Sequence, residues 1–126
     1  MAEHRILVIE DDLDIRESLM EILTDHGYQP IPCIHGRQAL DHLRTAVDPP
    51  CLILLDLMMP VMDGRTFREE QMRHPTWSSI PVVVISASRD LGDSALQLQA
   101  VAHLSKPLSL RELMRIIREH CPANDV

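Results

Sequence analysis

Four stretches of this chain are nearly unbroken apolar runs: Arg5–Ile9, Cys51–Asp56, Ile80–Ile85 and Val101–Leu104. They are too short for helices of ordinary length and too continuous for half-exposed strands. Cys51–Asp56 reads as a strand buried on both faces, the pattern of a parallel sheet covered by helices, and the other three read as further apolar strands. Between them the apolar spacing changes to the helical period. Asp14 with Glu17 predicts a capped start for the first helix. Ile15, Leu19, Ile22 and Leu23 form its stripe, and Gly27 ends it. A second helix over Gly36–Ala46 would bury Ala39, Leu40 and Leu43. A third follows Gly64, with Phe67 and Met72 as anchors. A fourth covers Asp90–Ala100 with Leu91, Ala95 and Leu98. A fifth starts at Ser109, has Glu112 at capping-box spacing, and buries Leu110, Leu113, Met114 and Ile117.

The remaining strand, Gln29–Cys33, carries Pro30 and Pro32. Backbone N–H groups two residues apart point the same way, so both missing donors lie on one side. Such a strand belongs at a sheet edge, where the prolines also block pairing with another chain. Strands and helices alternate throughout, which predicts βαβ units around one sheet.

The polar residues that end the apolar runs are more informative than the runs. The first strand ends in Glu10-Asp11-Asp12, the third in Asp56, the fourth in Ser86-Ala87 and the fifth in Ser105-Lys106-Pro107. In open parallel sheets ligands bind beyond the carboxyl ends of the strands. Two acidic groups, a hydroxyl and an ammonium therefore converge on one edge. A carboxylate at the end of a buried central strand is a metal ligand, a nucleophile or both. Asp56 is followed at once by the punctuated loop Leu-Met-Met-Pro60-Val-Met-Asp-Gly64.

Composition narrows the function classes. The 126 residues suit one domain with a real core. Net charge is −7, from 19 acidic and 12 basic residues, which argues against non-specific nucleic-acid binding. No apolar run approaches the ~20 residues of a membrane span, and no signal-type segment opens the chain. The expected location is cytoplasmic. Cys33, Cys51 and Cys121 fit neither a zinc pattern nor a disulfide framework, and Cys51 reads as a small apolar filler.

Taken in order, E-D after the first strand, D-x-x-M-P-x-M-D-G after the third, S-A after the fourth and K-P after the fifth are specific. From about Arg5 to Cys121 the chain resembles a bacterial two-component response-regulator receiver domain of the CheY-like kind. The resemblance implies an α/β, flavodoxin-like (βα)5 doubly wound parallel sheet of strand order 2-1-3-4-5. That order puts the proline-bearing strand at an edge. Residues 1–126 are read as a single receiver domain. The tail Pro122–Val126 is too short for an output domain, so a stand-alone type is expected.

The resemblance also assigns roles. Asp56 would be the phosphoacceptor, with Ser86 and Lys106 engaging the phosphoryl oxygens and Ala87 leaving room for the group. Asp11 and Asp56 would bind Mg²⁺ directly, Glu10 through water, and Met58 through its backbone carbonyl, with Mn²⁺ able to substitute. Three carboxylates in one pocket repel unless a cation neutralises them, and an all-oxygen set suits Mg²⁺. Pro107 would follow a cis peptide that aims Lys106. His103 occupies the position of the family's aromatic switch residue, paired in that role with Ser86, or else is an exposed histidine on the output face that touches a partner. The glycine usual in the turn before it is replaced, at Gln99. Met58 and Ser88 stand where the family controls water access to the phosphoryl group, and their side chains predict a long-lived aspartyl-phosphate.

The expected activity is therefore regulatory rather than enzymatic, limited to self-catalysed phosphotransfer to Asp56 and its reversal by hydrolysis. A histidine kinase or a histidine phosphotransfer protein would supply the phosphoryl group. An unidentified downstream protein would meet the face of the predicted fourth helix, fifth strand and fifth helix. Neither nucleic acid nor membrane is an expected partner. Two rivals remain. Asp12-Leu13-Asp14 superficially matches the D-x-D of aspartate-nucleophile phosphohydrolases, although those chains are generally longer. A phosphorylation-independent scaffold could also use the fold, although the intact acidic set argues against it. Asp12 and Asp63 are read as turn and helix-cap carboxylates, and Tyr28 and Trp77 as packing.

Overall fold

The computed structural model describes residues 4–57, 62–87 and 98–121. Five parallel strands run β1 (Arg5–Ile9), β2 (Gln29–Cys33), β3 (Leu52–Asp56), β4 (Val82–Ser86) and β5 (Ala102–Ser105), in the spatial order β2-β1-β3-β4-β5. Four helices are described: α1 (Leu13–Asp25), α2 (Gly36–Thr45), α3 (Gly64–Arg73) and α4 (Leu110–His120), the last being the predicted fifth helix. The predicted helix over Asp90–Ala100 lies almost wholly outside the described residues.

Alternation along the three central strands builds two cores. Leu7 and Ile9, Ile53 and Leu55, and Val82 and Val84 face α2 and α3, against Ala39, Leu40, Leu43 and Phe67. Ile6 and Val8, Leu52 and Leu54, and Val83 and Ile85 face the other way. There they meet Leu19 and Leu23 of α1 and Leu113, Met114, Ile116 and Ile117 of α4. A one-residue slip of β3 would exchange its two sets of side chains between the cores, so the apolar volumes on both faces hold the register. β2 sits at the edge, with Pro30 and Pro32 within its five residues.

Local chemistry sets most helix ends. Asp63 Oδ1 accepts from the Thr66 amide at 2.8 Å and Ser109 Oγ from the Glu112 amide at 3.4 Å, as expected for caps. Gly27 stops α1 with φ +86. The start of α1 departs from the expectation: Asp12, not Asp14, is the cap, and its Oδ1 accepts from the Ile15 amide at 3.1 Å. The helix begins two residues earlier because Asp12 lies directly beyond the strand-end acids. Two expected core residues lie outside. Met72 and Leu110 are 40% and 50% exposed, because Arg68 and Gln71 take the inner face of α3 and Ile116 that of α4.

That inner face of α3 carries a buried polar network that apolar patterning did not reveal. Arg68 donates to the carbonyls of Leu98 at 2.8 Å and Gln99 at 3.1 Å, and to Gln71 Oε1 at 2.7 Å. Gln71 in turn donates to the carbonyls of Trp77 and Ile80. Burial pushes the Arg68 guanidinium down from its ordinary value. Gln99, in the family's glycine position, has φ +56, so the left-handed turn is kept without the glycine. For a residue with a β-carbon this costs about 1–2 kcal/mol, and Arg68 clamps the turn in place. Gln99→Gly is accordingly expected to raise stability by about 1 kcal/mol and Tm by about 4 °C. Thermal unfolding of both chains checks it, and an unchanged or lowered Tm would mean that the turn is unstrained.

The cysteine expectation is overturned. Cys51 and Cys121 are joined by a disulfide with 5.8 Å between their α-carbons, which leaves Cys33 as the free thiol. Seventy residues separate the two in sequence. The signal was invisible in spacing because only the packing of α4 on the sheet brings Cys121 to the head of β3.

Candidate functional site

Register brings the strand ends level. Ile9 pairs with Leu55, so the next residue, Glu10, comes alongside Asp56. Asp56 pairs with Ile85, and Ser86 with Ser105, immediately before Lys106. The Lys106 amide donates to the Ser86 carbonyl at 3.1 Å, which continues the ladder one step past the strands. Glu10, Asp56 and Ser86 are all buried, whereas Asp11 is exposed.

Ligand oxygens of Glu10, Asp11 and Asp56 lie within 4.8 Å of one another. The Lys106 ammonium sits 3.0 Å from Glu10 Oε1 and 3.5 Å from Asp56 Oδ2. Burial alone would push that ammonium down. The hydrogen bond that Lys106 donates to Glu10 and the charges of Asp56 and Glu10 outweigh it and hold Lys106 above the ordinary lysine value. Its charge therefore persists across the neutral range. One lysine does not neutralise three carboxylates. Glu10 Oε1 is buried and meets the Lys106 ammonium in the ion pair, with no further hydrogen-bond donor among the described residues. The donor set is all oxygen, with an exposed side at Asp11, and it fits a hard divalent cation such as Mg²⁺. Met58, the expected carbonyl ligand, lies outside the described residues, as does Ser88.

Two positioning groups escaped the sequence reading. Arg16 Nη1 donates to the carbonyls of Glu10 at 2.9 Å and Asp11 at 3.3 Å, and so clamps the backbone of the acidic pair. An arginine one turn beyond the cap Asp12 was the available signal. Gly64 is the second. A β-carbon there would stand 2.8 Å from both the Asp56 carbonyl oxygen and the Leu57 α-carbon. The start of α3 can lie against the end of β3 only without a side chain. Gly64→Ala should therefore displace the strand end and cost about 1–3 kcal/mol, as overpacking does. Urea unfolding checks it, and a loss below about 0.5 kcal/mol would show that the contact yields freely.

The Lys106–Pro107 peptide is cis, as expected. His103 pairs with Val84 in register and is exposed. Asp12 and Asp14 of the D-x-D are both exposed, and Asp12 is occupied in capping α1.

A family profile for the response regulator receiver domain matches residues 6–118. The chain belongs to that receiver family. Its relatives include the transcriptional regulatory protein BaeR of Escherichia coli, 37% identical over 116 residues, covering 90% of this receiver and 46% of BaeR. The response regulator MprA of Mycolicibacterium vanbaalenii is 38% identical over 116 residues, covering 90% of this receiver and 48% of MprA. The receiver thus spans about half the length of the curated relatives it matches. Among solved structures, the signal receiver domain of a histidine kinase from Syntrophus aciditrophicus superposes with a TM-score of 0.84 at 27% identity, covering 98% of this receiver and 96% of that chain. The chemotaxis protein CheY4 of Vibrio cholerae shares the fold, with a TM-score of 0.84 at 24% identity, covering 94% and 99% of the two chains. Strand order and helix placement are those of the CheY-like receiver fold. Among the described residues no helix is long and apolar enough to cross a membrane.

Proposed function

We propose that this receiver accepts a phosphoryl group on Asp56 from a histidine kinase or histidine phosphotransfer protein, in a cytoplasmic two-component or phosphorelay pathway. The observation that carries the reading is the buried Glu10–Asp56–Lys106 cluster at the ends of β1, β3 and β5. An Asp56 carboxylate oxygen attacks phosphorus while the bond to the donor breaks, and the donor keeps the electron pair. Lys106 moves its ion pair from the carboxylates toward the incoming phosphoryl oxygens. The Ser86 hydroxyl donates to the same oxygens. Glu10, Asp11 and Asp56 would hold Mg²⁺, which supplies charge neutralisation for the approach of one anion to another.

An apolar cavity of about 310 Å³ adjoins the cluster. Ile15, Leu19 and Ile22 of α1 line it, with Pro107, Leu108 and Leu113 before and within α4. Lys106 reaches its rim, so a phosphodonor protein seated there would lie beside the acceptor. Asp12 argues against the phosphohydrolase reading, because the D-x-D pair lies on the exposed start of α1. Ser86 and His103 would carry the switch only if His103 turns inward from its exposed position.

Intact-mass measurement after incubation with acetyl phosphate or phosphoramidate tests the proposal. One phosphoryl group per chain is expected with Mg²⁺ or Mn²⁺, and none in EDTA. Turnover of a small phosphoester would favour the hydrolase instead. No uptake from any donor would favour a scaffold.

A further inference from the structure

Cys51, Cys121 and His4 form a second cluster of reactive side chains, on the far side of the sheet's α1–α4 core from the acidic site. We propose that Cys51–Cys121 is a redox-exchangeable pair that reversibly ties the end of α4 to the head of β3, with Cys51 as the sulfur that small thiols attack. Its exchangeable character rests on the cytoplasmic receiver reading above, because in a reducing compartment protein disulfides are mostly transient and redox-sensing.

The two sulfurs differ in access. Cys121 is 2% exposed, whereas Cys51 is only partly buried. Each also has a polar partner that matters once the bond opens. Cys51 Sγ lies 3.2 Å from the Arg5 carbonyl oxygen, an acceptor for a thiol proton. Cys121 Sγ lies 3.8 Å from His4 Nδ1. A reduced pair would therefore be accommodated without new unsatisfied groups. The end of α4 does not depend on the bond either. The Tyr28 hydroxyl donates to the Cys121 carbonyl at 2.9 Å, and Ile116 and Ile117 stay buried in the core. The third cysteine is unsuited to the chemistry: burial pushes the Cys33 thiol up to about 11.

In reduction, a thiolate of the glutathione class bonds to Cys51 Sγ. The Cys51–Cys121 bond breaks, and Cys121 leaves with the electron pair and takes a proton. A second thiolate attacks the glutathione sulfur of the mixed disulfide and releases Cys51. Two thiols are oxidised to one small disulfide, and the protein disulfide is reduced to two thiols. The small disulfide drives the reverse reaction. The covalent loop closed by the bond contains Asp56, Ser86 and Lys106 but not Glu10 or Asp11.

The test equilibrates the whole chain across reduced-to-oxidised glutathione ratios, quenches with acid, and alkylates the denatured protein for intact mass. One alkyl group marks the oxidised form and three the reduced form, because Cys33 is labelled in both. A single reversible transition between them is expected, with Tm roughly 10 °C higher for the oxidised form. Native Cys121→Ser should trap glutathione on Cys51, and native Cys51→Ser should trap at least tenfold less. Three alkyl groups at every ratio, or one under excess reduced glutathione, would overturn the proposal. So would equal trapping in the two variants, or zinc retained by the reduced protein and lost in His4→Ala, which would make the sulfurs metal ligands. The wild-type transition stands if a variant fails to fold. Phosphoryl uptake measured on the same samples is a separate readout: its failure beside an intact redox transition would count against the receiver reading, not against the pair.

Discussion

Asp56→Asn is expected to take up no phosphoryl group from acetyl phosphate under conditions that label the parent chain. The substitution is nearly isosteric at a residue that is 1% exposed, so the end of β3 keeps its place. What would be lost is the charged oxygen proposed to attack phosphorus, since an amide is not a useful nucleophile. One of three candidate metal-ligating carboxylates is lost with it. Lys106 retains Glu10 as a partner at 3.0 Å, so the cluster is not left with an unpaired ammonium. Labelling of Asp56→Asn above background would mean that another residue accepts the group. Circular dichroism and the urea midpoint distinguish loss of chemistry from loss of fold.

Arg68→Ala should be among the most destabilising single substitutions away from the apolar core, costing about 3 kcal/mol and about 10 °C in Tm. The side chain is 5% exposed and donates to three acceptors on two segments of the chain. Truncation leaves the Leu98 and Gln99 carbonyls and Gln71 Oε1 without that donor. It also releases the left-handed Gln99 turn that leads into β5 and so to Lys106. Relief of the buried charge offsets part of the loss, since burial already weighs against the guanidinium. Arg68→Lys should recover less than half, because an ammonium cannot span the three acceptors. Urea unfolding of the two variants and the parent measures this, and a loss below about 1 kcal/mol would show that water replaces the guanidinium readily. Combining Arg68→Ala with Gln99→Gly should be better than additive if the clamp exists to hold that turn.

The elements and their order were legible because strand and helix periods are local properties of the chain. Buried parallel strands read as unbroken apolar runs, and β1 and β2 were expected at the bounds observed, while β3, β4 and β5 shifted by one or two residues. Caps were legible at Asp63 and Ser109, where side chain and amide are three residues apart. They were misread at Asp12, where several acids compete for one helix start. The acidic site was legible for a topological reason: parallel strands end on the same edge, so strand-end residues converge whatever the packing.

Features that depend on contact between distant segments were decided only in three dimensions. The helix positions of Arg68 and Gln71 do not say that they turn inward to bind backbone carbonyls near 77–80 and 98–99. The spacing of Cys51 and Cys121 does not say that α4 carries one onto the other. The sequence by itself determined the sheet, its edge strand and the acids at its carboxyl end, because these follow from periodicity, from the missing N–H donors of Pro30 and Pro32, and from chain direction. The tertiary structure alone decided the polar clamp, the disulfide and the ion pairs of Lys106, because each depends on which side chains meet once the helices close over the sheet.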